Sequence, residues 1–328
     1  MDAVIVDREA ARAAALRAAA VAEGGVKGDG GLVIVIGGSR AYAAPPYLAA
    51  LAARRAGVHG VRIAAPPAAA AQQAALEVHL IPVAGPELGP LAIREAAGVS
   101  AQMTRKLAES GAHGRVAWLF GPGLGGSPQA GEVLDALEEA RQADRSAALV
   151  VDGSLGGGER ARCLLRALGP DAVLLNRAEA ASLLPGPGQM PGRGTQADAT
   201  ALAALARETG AVIVAKGPQD LITDGARLWA VEAGHPGLAR HGSGDVLAGL
   251  TAGLVAQALP APDAAALACY LVGTAGSALA RNIGPGWLSR ELLDAAGDAL
   301  YGLLAEPGTA EPPSPCREFP SCRLIRRS

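Results

Sequence analysis

Arg240-His241-Gly242-Ser243-Gly244-Asp245 sets two glycines around a small hydroxyl residue, with a carboxylate directly after, at the head of an apolar run over 246–259. The run has the length and composition of a helix. A helix start leaves backbone N–H groups without partners and carries partial positive charge, so it attracts anions. Gly242 and Gly244 lack the side chains that would keep a phosphate from those groups. Asp245 falls in the first helical turn, beside any phosphate bound there. A carboxylate repels an anion and does nothing for its binding. Its use at such a place is to take the proton from a hydroxyl that attacks phosphorus. The same residues also suit a plain glycine loop in which Ser243 or Asp245 caps the helix, and the segment alone does not separate the two.

The elements that must position this segment alternate along the chain. Residues 8–22 read as an alanine-rich amphipathic helix, followed by a glycine-rich joint over 24–31. Short apolar runs then occur at 32–36, 61–65, 78–81, 116–120, 147–151, 172–175 and 212–215. Between most of them lie alanine- and leucine-rich segments of helical period, such as 46–56, 128–142 and 158–168. This alternation predicts an α/β fold with a mostly parallel sheet covered on both faces. Near Lys216 the rhythm changes. Residues 221–222, the turn signal Asp224-Gly225 and residues 228–231 predict a small antiparallel addition at the sheet edge. Helices are expected over 244–258, 263–281 and 287–304. Residues 176–195, with Pro185-Gly186-Pro187-Gly188 and Pro191-Gly192, read as a surface excursion. Five prolines, two cysteines and four arginines without period make 305–328 a disordered tail. The chain divides into a helix and joint (1–26), one main domain (27–304) and that tail.

Bulk composition narrows the partners. Of 328 residues half are hydrophobic, enough for a large core, and only 3% are aromatic, so alanine and glycine predict close helix–sheet packing. A formal net charge of −2 gives no electrostatic reason to expect nucleic acid or an anionic membrane. No uninterrupted apolar run reaches the roughly 18–20 residues that span a bilayer. Asp2, Asp7, Arg8, Glu9, Arg12 and Arg17 disfavour a signal peptide, so a cytoplasmic protein is expected. Cys163 and Cys269 lie in apolar helical stretches and read as reduced buried thiols; Cys316 and Cys322 have no other Cys or His nearby to complete a metal site.

In an open parallel sheet, ligands sit beyond the carboxyl ends of the strands. The notable residues of this chain fall at such ends repeatedly. Gly37-Gly38-Ser39 follows 32–36, Gly121-Pro122-Gly123-Leu124-Gly125-Gly126 follows 116–120, Asp152 follows 149–151, Asn176 follows 173–175, and Lys216-Gly217 follows 212–215. Each also has a plain reading. Gly37-Gly38-Ser39 suits a tight strand–helix turn. The Gly121–Gly126 run is longer than a turn needs, which favours close backbone approach to a ligand, but it matches neither the P-loop nor the dinucleotide fingerprint. Asp152 suits a helix cap, and Lys216 a solvated strand end. Asn176 and Glu179, one turn apart at a helix start, fit either a cap with a surface carboxylate or a pair that orients water around Mg²⁺. All of them on one edge point to a site.

In this order and spacing, the pieces resemble the ADP/ATP-dependent NAD(P)H-hydrate dehydratases of the ribokinase-like superfamily. The resemblance runs from about Lys27 to Leu304. It rests on Lys27-Gly28-Asp29, Val35-Ile36-Gly37-Gly38-Ser39 with Tyr42-Ala43-Ala44, Gly121-Pro122-Gly123-Leu124-Gly125, Val151-Asp152-Gly153, Lys216-Gly217, and Gly242 to Gly249 with Leu254-Val255-Ala256-Gln257 beyond. It implies a ribokinase-like three-layer α/β/α sandwich, ADP or ATP and Mg²⁺ as cofactors, and repair of NADH or NADPH hydrated on the nicotinamide ring. Hydroxide leaves poorly and a phosphate ester readily, so phosphorylating the hydroxyl turns a kinase-like fold into a dehydratase.

Residue by residue, the resemblance implies that Ala44, Gly123 and Asp245 touch the hydrate and that Asp245 receives the hydroxyl proton. Gly242, Ser243 and Gly244 would hold the transferring phosphate. Lys216, Gly217, Pro218, Gln219 and Asp220 would line the adenine nucleotide, with Gly244 near it. Where the family commonly has His-Pro-Gly-Glu, this chain has Asn176-Arg177-Ala178-Glu179. Glu179 keeps the water-mediated Mg²⁺ side; Asn176 takes the place of the histidine that contacts the hydrate, and can still donate one hydrogen bond and accept another. Asn-x-x-Glu is also what other ribokinase-like kinases show, so a small-alcohol kinase and a catalytically silent nucleotide-binding protein stand as alternatives. Homo-oligomers are expected. Some relatives carry an N-terminal epimerase domain; here only residues 1–31 precede the first core strand, so a separate epimerase is the expected partner.

Overall fold

Apolar runs of four or five residues cannot bury themselves, and in this protein they lie side by side. The computed structural model describes residues 3–305 apart from 23–24, 67–77, 84, 86, 126–129, 154 and 185–195. The strands are β1 (Val4–Ile5), β2 (Leu32–Ile36), β3 (Gly60–Ala64), β4 (His79–Ile81), β5 (Val116–Phe120), β6 (Ala148–Asp152), β7 (Ala172–Leu175), β8 (Val212–Ala215), β9 (Asp220–Thr223) and β10 (Leu228–Val231). They form one sheet in the order β1-β10-β9-β8-β7-β6-β5-β2-β3-β4. Among the described strands only β9 runs against the rest, antiparallel to both β8 and β10.

Side chains alternate between faces along a strand, and both faces here are apolar. Val33, Val35, Ala117, Leu119, Ala148 and Val150 join one core, whereas Ile34, Ile36, Trp118, Phe120, Leu149 and Val151 join the other. Helices α1 (Arg8–Ala22), α2 (Pro45–Arg55), α8 (Ser243–Ala256), α9 (Ala261–Ile283) and α10 (Glu291–Leu304) cover the first face. Helices α3 (Pro90–Ser110), α4 (Ala130–Ala143), α5 (Gly158–Leu168), α6 (Arg177–Leu183) and α7 (Gln196–Thr209) cover the second. The expected α/β/α sandwich is therefore present.

Several expectations change in detail. The antiparallel hairpin is present, with Gly225 at φ +88°, but it is not the sheet edge: β1 pairs parallel outside β10, Val4 opposite Trp229. Two residues are too few to leave a period in the sequence. The sequence reading also singles out neither α3 nor α7; α3 buries only Ala92, Ile93, Ala96, Ser100 and Leu107, a thin stripe. The stretch from Ala261 to Gly286 is long and apolar enough by composition to cross a bilayer, but two-thirds of its most apolar window is buried inside the protein. Residues 185–195, Gly126, and the tail with Cys316 and Cys322 lie outside the described residues.

Alanine and glycine also serve close helix–helix packing. α8 is buried from Val246 to Ala256, as befits a helix apolar all round. It lies directly on α2. A Cβ on Gly249 would fall 2.0 Å from the Ala49 carbonyl oxygen, and one on Gly253 2.8 Å from the Ala56 Cβ. At the far end, Arg115 donates to the Val255 carbonyl from its side chain and to Ala256 from its backbone, which satisfies the C-terminal carbonyls. Gly249→Ala should therefore destabilise the protein by about 1–3 kcal/mol, the usual cost of overpacking. A denaturant midpoint equal to wild type would show that α2 and α8 do not approach this closely.

Candidate active site

Five consecutive strands, β8-β7-β6-β5-β2, end on the same side of the sheet. Their ends bring together most of the residues singled out in the sequence. The loops after β2 and β5 lock onto each other. Gly38 N–H donates to Pro122 O at 2.7 Å, Gly121 N–H to Ile36 O at 3.1 Å, and the Ser39 hydroxyl to Gly123 O at 3.0 Å. A Cβ on Gly37 would lie 2.2 Å from Pro122 O, and one on Gly121 (φ +125°) 2.1 Å from Asp152 O. Gly121 thus meets neighbouring backbone, whereas Gly125 has open space within 4 Å of its Cβ position. Gly123 and Ala44 share one lip. The Cβ position on Gly123 is 3.1 Å from Pro45 Cγ, next to Ala44 at the exposed start of α2.

α8 begins beside Lys216, which follows β8. Gly242 precedes the helix at φ +96°, and a Cβ there would collide with Ser289 and Leu48. The preceding segment is held in place. Ser289 donates to His241 O, and Arg240 donates to the carbonyls of Gly237, Pro285 and Trp287 while its guanidinium lies 3.5 Å from the Trp287 ring centroid. Ser243 is 7% exposed and its hydroxyl oxygen has no hydrogen-bond partner. Buried hydroxyls are normally paired, so a buried unpaired one among orphan helix N–H groups suits an oxyanion.

The charges complete the picture. Lys216 Nζ donates to Asp152 Oδ1 at 3.0 Å, and lies 3.4 Å from where a Cβ of Gly244 would sit. Burial alone would lower the Lys216 pKa, but Asp152, Glu179 and Asp245 outweigh it and raise it, so the ammonium stays charged. Asp245, half-buried, is pushed up to about 7, first by burial and then by the negative charge of Asp152, with Lys216 opposing. A carboxylate that titrates near neutrality can both accept and release a proton.

Other candidates take different places from those expected. Asp220 accepts the Gly217 N–H at 2.9 Å and lies against the Cys269 thiol; burial raises it to about 6. Its carboxylate folds back on its own turn and shapes the loop that carries Gly217 and Pro218, which are exposed. Gln219 is tied to Glu232 at 2.6 Å. Asn176 forms a helix cap, an arrangement that leaves the second Glu179 oxygen outside it. Asn176 Oδ1 accepts Glu179 N–H at 2.9 Å while Glu179 Oε2 accepts Asn176 N–H at 2.7 Å, a capping box. Glu179 Oε1 lies 3.8 Å from the Cβ position of Gly153, toward Asp152. Among the described residues, no group of three or more His, Cys, Asp or Glu is placed to hold a metal ion. The donor set fits Mg²⁺ held through water and phosphate oxygens, the habit of that ion, and not a protein cage. Ser289 left no signal in the sequence. Cys269 is the buried free thiol expected, whereas Cys163, expected buried as well, is exposed on α5. Asp152 left one signal, its place at a strand end.

The profile of the family described as NAD(P)H-hydrate dehydratase matches residues 33–297. The chain is 31% identical over 284 residues to the ADP-dependent (S)-NAD(P)H-hydrate dehydratase of Xanthomonas campestris, covering 85% of this chain and 92% of that one. It is 33% identical over 260 residues to the bifunctional NAD(P)H-hydrate repair enzyme of Pyrobaculum aerophilum, covering 79% of this chain and 48% of the relative. The chain thus spans about half the length of its bifunctional relatives. Among solved structures, the ADP/ATP-dependent NAD(P)H-hydrate dehydratase from Bacillus subtilis, co-crystallized with ATP/Mg²⁺ and soaked with CoA, superposes with a TM-score of 0.62 at 18% identity, over 92% of this chain and 100% of that one. The fold is ribokinase-like.

The environment of Asp245 has a direct readout. A carboxylate infrared band present in the wild type and absent from Asp245→Asn should titrate with a midpoint near 7. A midpoint near 4, where an exposed aspartate titrates, would contradict this geometry.

Proposed function

Because the chain belongs to the NAD(P)H-hydrate dehydratase family, we propose that it repairs hydrated NADH and NADPH, using ADP or ATP to drive loss of the added water. The observation that carries this reading is Asp245, a carboxylate near neutrality one residue beyond Gly244, at a helix start suited to phosphate. Its proton affinity matches the task of accepting a hydroxyl proton at neutral pH.

In this reading Ala44 and Gly123 line the place of the hydrate. Its ring hydroxyl gives its proton to Asp245 as the oxygen attacks the terminal phosphorus, and the bond from that phosphorus to the nucleotide breaks. Gly242, Ser243 and Gly244 receive the phosphoryl group on backbone N–H groups and the buried hydroxyl, and the Lys216 ammonium offsets its charge. The ring nitrogen's lone pair then expels phosphate, and loss of a proton from the adjacent ring carbon restores the dihydronicotinamide. Gly217, Pro218 and Gln219 flank the nucleotide. Glu179 would hold Mg²⁺ through water; when bound, that ion neutralises phosphate charge. The main domain, 27–304, carries the whole site. The protein works in the cytoplasm as a homo-oligomer, beside a separate epimerase.

The test incubates full-length protein with hydrated NADH and either ADP or ATP. Return of dihydronicotinamide absorbance together with free phosphate is the expected result. A stable phosphate ester would mark a kinase, and nucleotide binding without turnover a silent protein; either would overturn the reading. Asp245→Asn should fold, still bind nucleotide and lose roughly 10²–10⁴-fold in rate. Since the base must be unprotonated, the wild-type rate should fall as pH drops through about 7, and a flat profile down to pH 5 would remove Asp245 from the proton transfer. Asn176→His should retain hydrate turnover and cost about 0.5–2 kcal/mol of stability through the lost cap. Unchanged stability would refute the capping role.

A further inference from the structure

Asp152 has no part in the chemistry above, yet it sits at its centre. It is the last residue of β6, and Lys216 follows β8, with β7 between them in the sheet. Their side chains meet across that gap, 14% and 20% exposed. An ion pair so enclosed loses much hydration for each ion and is a weak source of stability. Its position is the more telling fact. The same ammonium reaches the start of α8 beside Gly244, and Asp245 from α8 and Glu179 from α6 also act on it. One cation therefore faces three carboxylates. Where it rests decides which of them it neutralises.

We infer that Asp152 is a positioning residue of the reaction: its carboxylate anchors the Lys216 ammonium at the start of α8, where the phosphate transfers, and keeps it from pairing with Asp245. The inference rests on the phosphoryl-transfer reading given above. Glu179 gives one oxygen to the Asn176 N–H and holds the other toward Gly153. Glu179 and Asp245 are the carboxylates left to an unanchored Lys216, and of the two the pairing with Asp245 is the damaging one. That pairing ties up the base and withdraws the cation from phosphate. Asp152 itself touches neither substrate nor nucleotide and acts through Lys216.

Asp152→Asn keeps the size of the side chain and one acceptor oxygen but removes the charge. In the full-length protein it should lower kcat roughly 10- to 100-fold, with nucleotide affinity by calorimetry within about threefold of wild type, as coupled neighbours allow. The acid limb of kcat should move to lower pH, because the base then faces a closer ammonium and one carboxylate fewer. Asp152→Glu, which restores the charge, should recover part of the rate. Added to Lys216→Met, Asp152→Asn should cause no further loss, since the residue it acts through is gone. Losses that multiply, or an Asp152→Asn enzyme with wild-type kcat and acid limb, would overturn the inference. Should Asp152→Asn not fold, the wild type carries the test. An exchange-protected ammonium ¹⁵N signal, lost in Lys216→Met, should be present without nucleotide and shift when ATP is added; its absence would refute the anchor. Failure of the wild type to turn over hydrate refutes the family reaction, whereas an indifferent Asp152→Asn beside an active wild type refutes only this inference.

Discussion

Burial of α8 is the constraint on which the site depends. A helix apolar on every side has no stable place at a surface, and this one fills the space between the sheet, α2 and α9. Glycines at 249 and 253 let it lie directly on the backbone of α2. Its N-terminus, with orphan N–H groups, is thereby held at the ends of β6 and β8. The same burial that stabilises the domain aims a partial positive charge at one spot. Arg115 closes the other end by satisfying its last carbonyls.

Around that spot desolvation sets the chemistry. Asp245 and Lys216 are shielded from water, so each feels its neighbours more strongly than it would in solvent. For Asp245 burial and the Asp152 charge act together and lift its proton affinity toward neutrality. For Lys216 the carboxylates outweigh burial and hold the proton on. The protein thus keeps a base that titrates at working pH beside a cation that does not. Neither property belongs to the residue alone.

Supporting contacts tie the parts of the site to one another. Ser39 and the glycine loops after β2 and β5 bind one another, and Arg240 with Ser289 fixes the approach to Gly242. Asp220, enclosed beside Cys269, braces the turn that carries Gly217. Ser39 and Gly123, and Ser289 and His241, are far apart in sequence, whereas Asp220 and Gly217 are only three residues apart.

Much of the fold was legible in the sequence, because short apolar runs between alanine-rich helices have few ways to bury both faces. β2, β5, β7, β8 and β10 lie where their residue types place them, and Gly242 to Asp245 stand at a helix start as their spacing requires. β1 and the thin stripe of α3 were not legible, since two residues, or one face mostly of alanine, carry almost no period. The glycine run after β5 was visible, but the reason for Gly121 was not: it is demanded by the carbonyl of Asp152, 31 residues away in sequence. By itself the sequence determined which chemical groups stand at the strand ends, because period and residue type are local properties. Only the tertiary structure decided that Asn176 caps a helix, that Asp220 turns inward, and that Asp152 and Lys216 meet. Those outcomes depend on distances across the sheet and on exclusion of water, which no local spacing encodes.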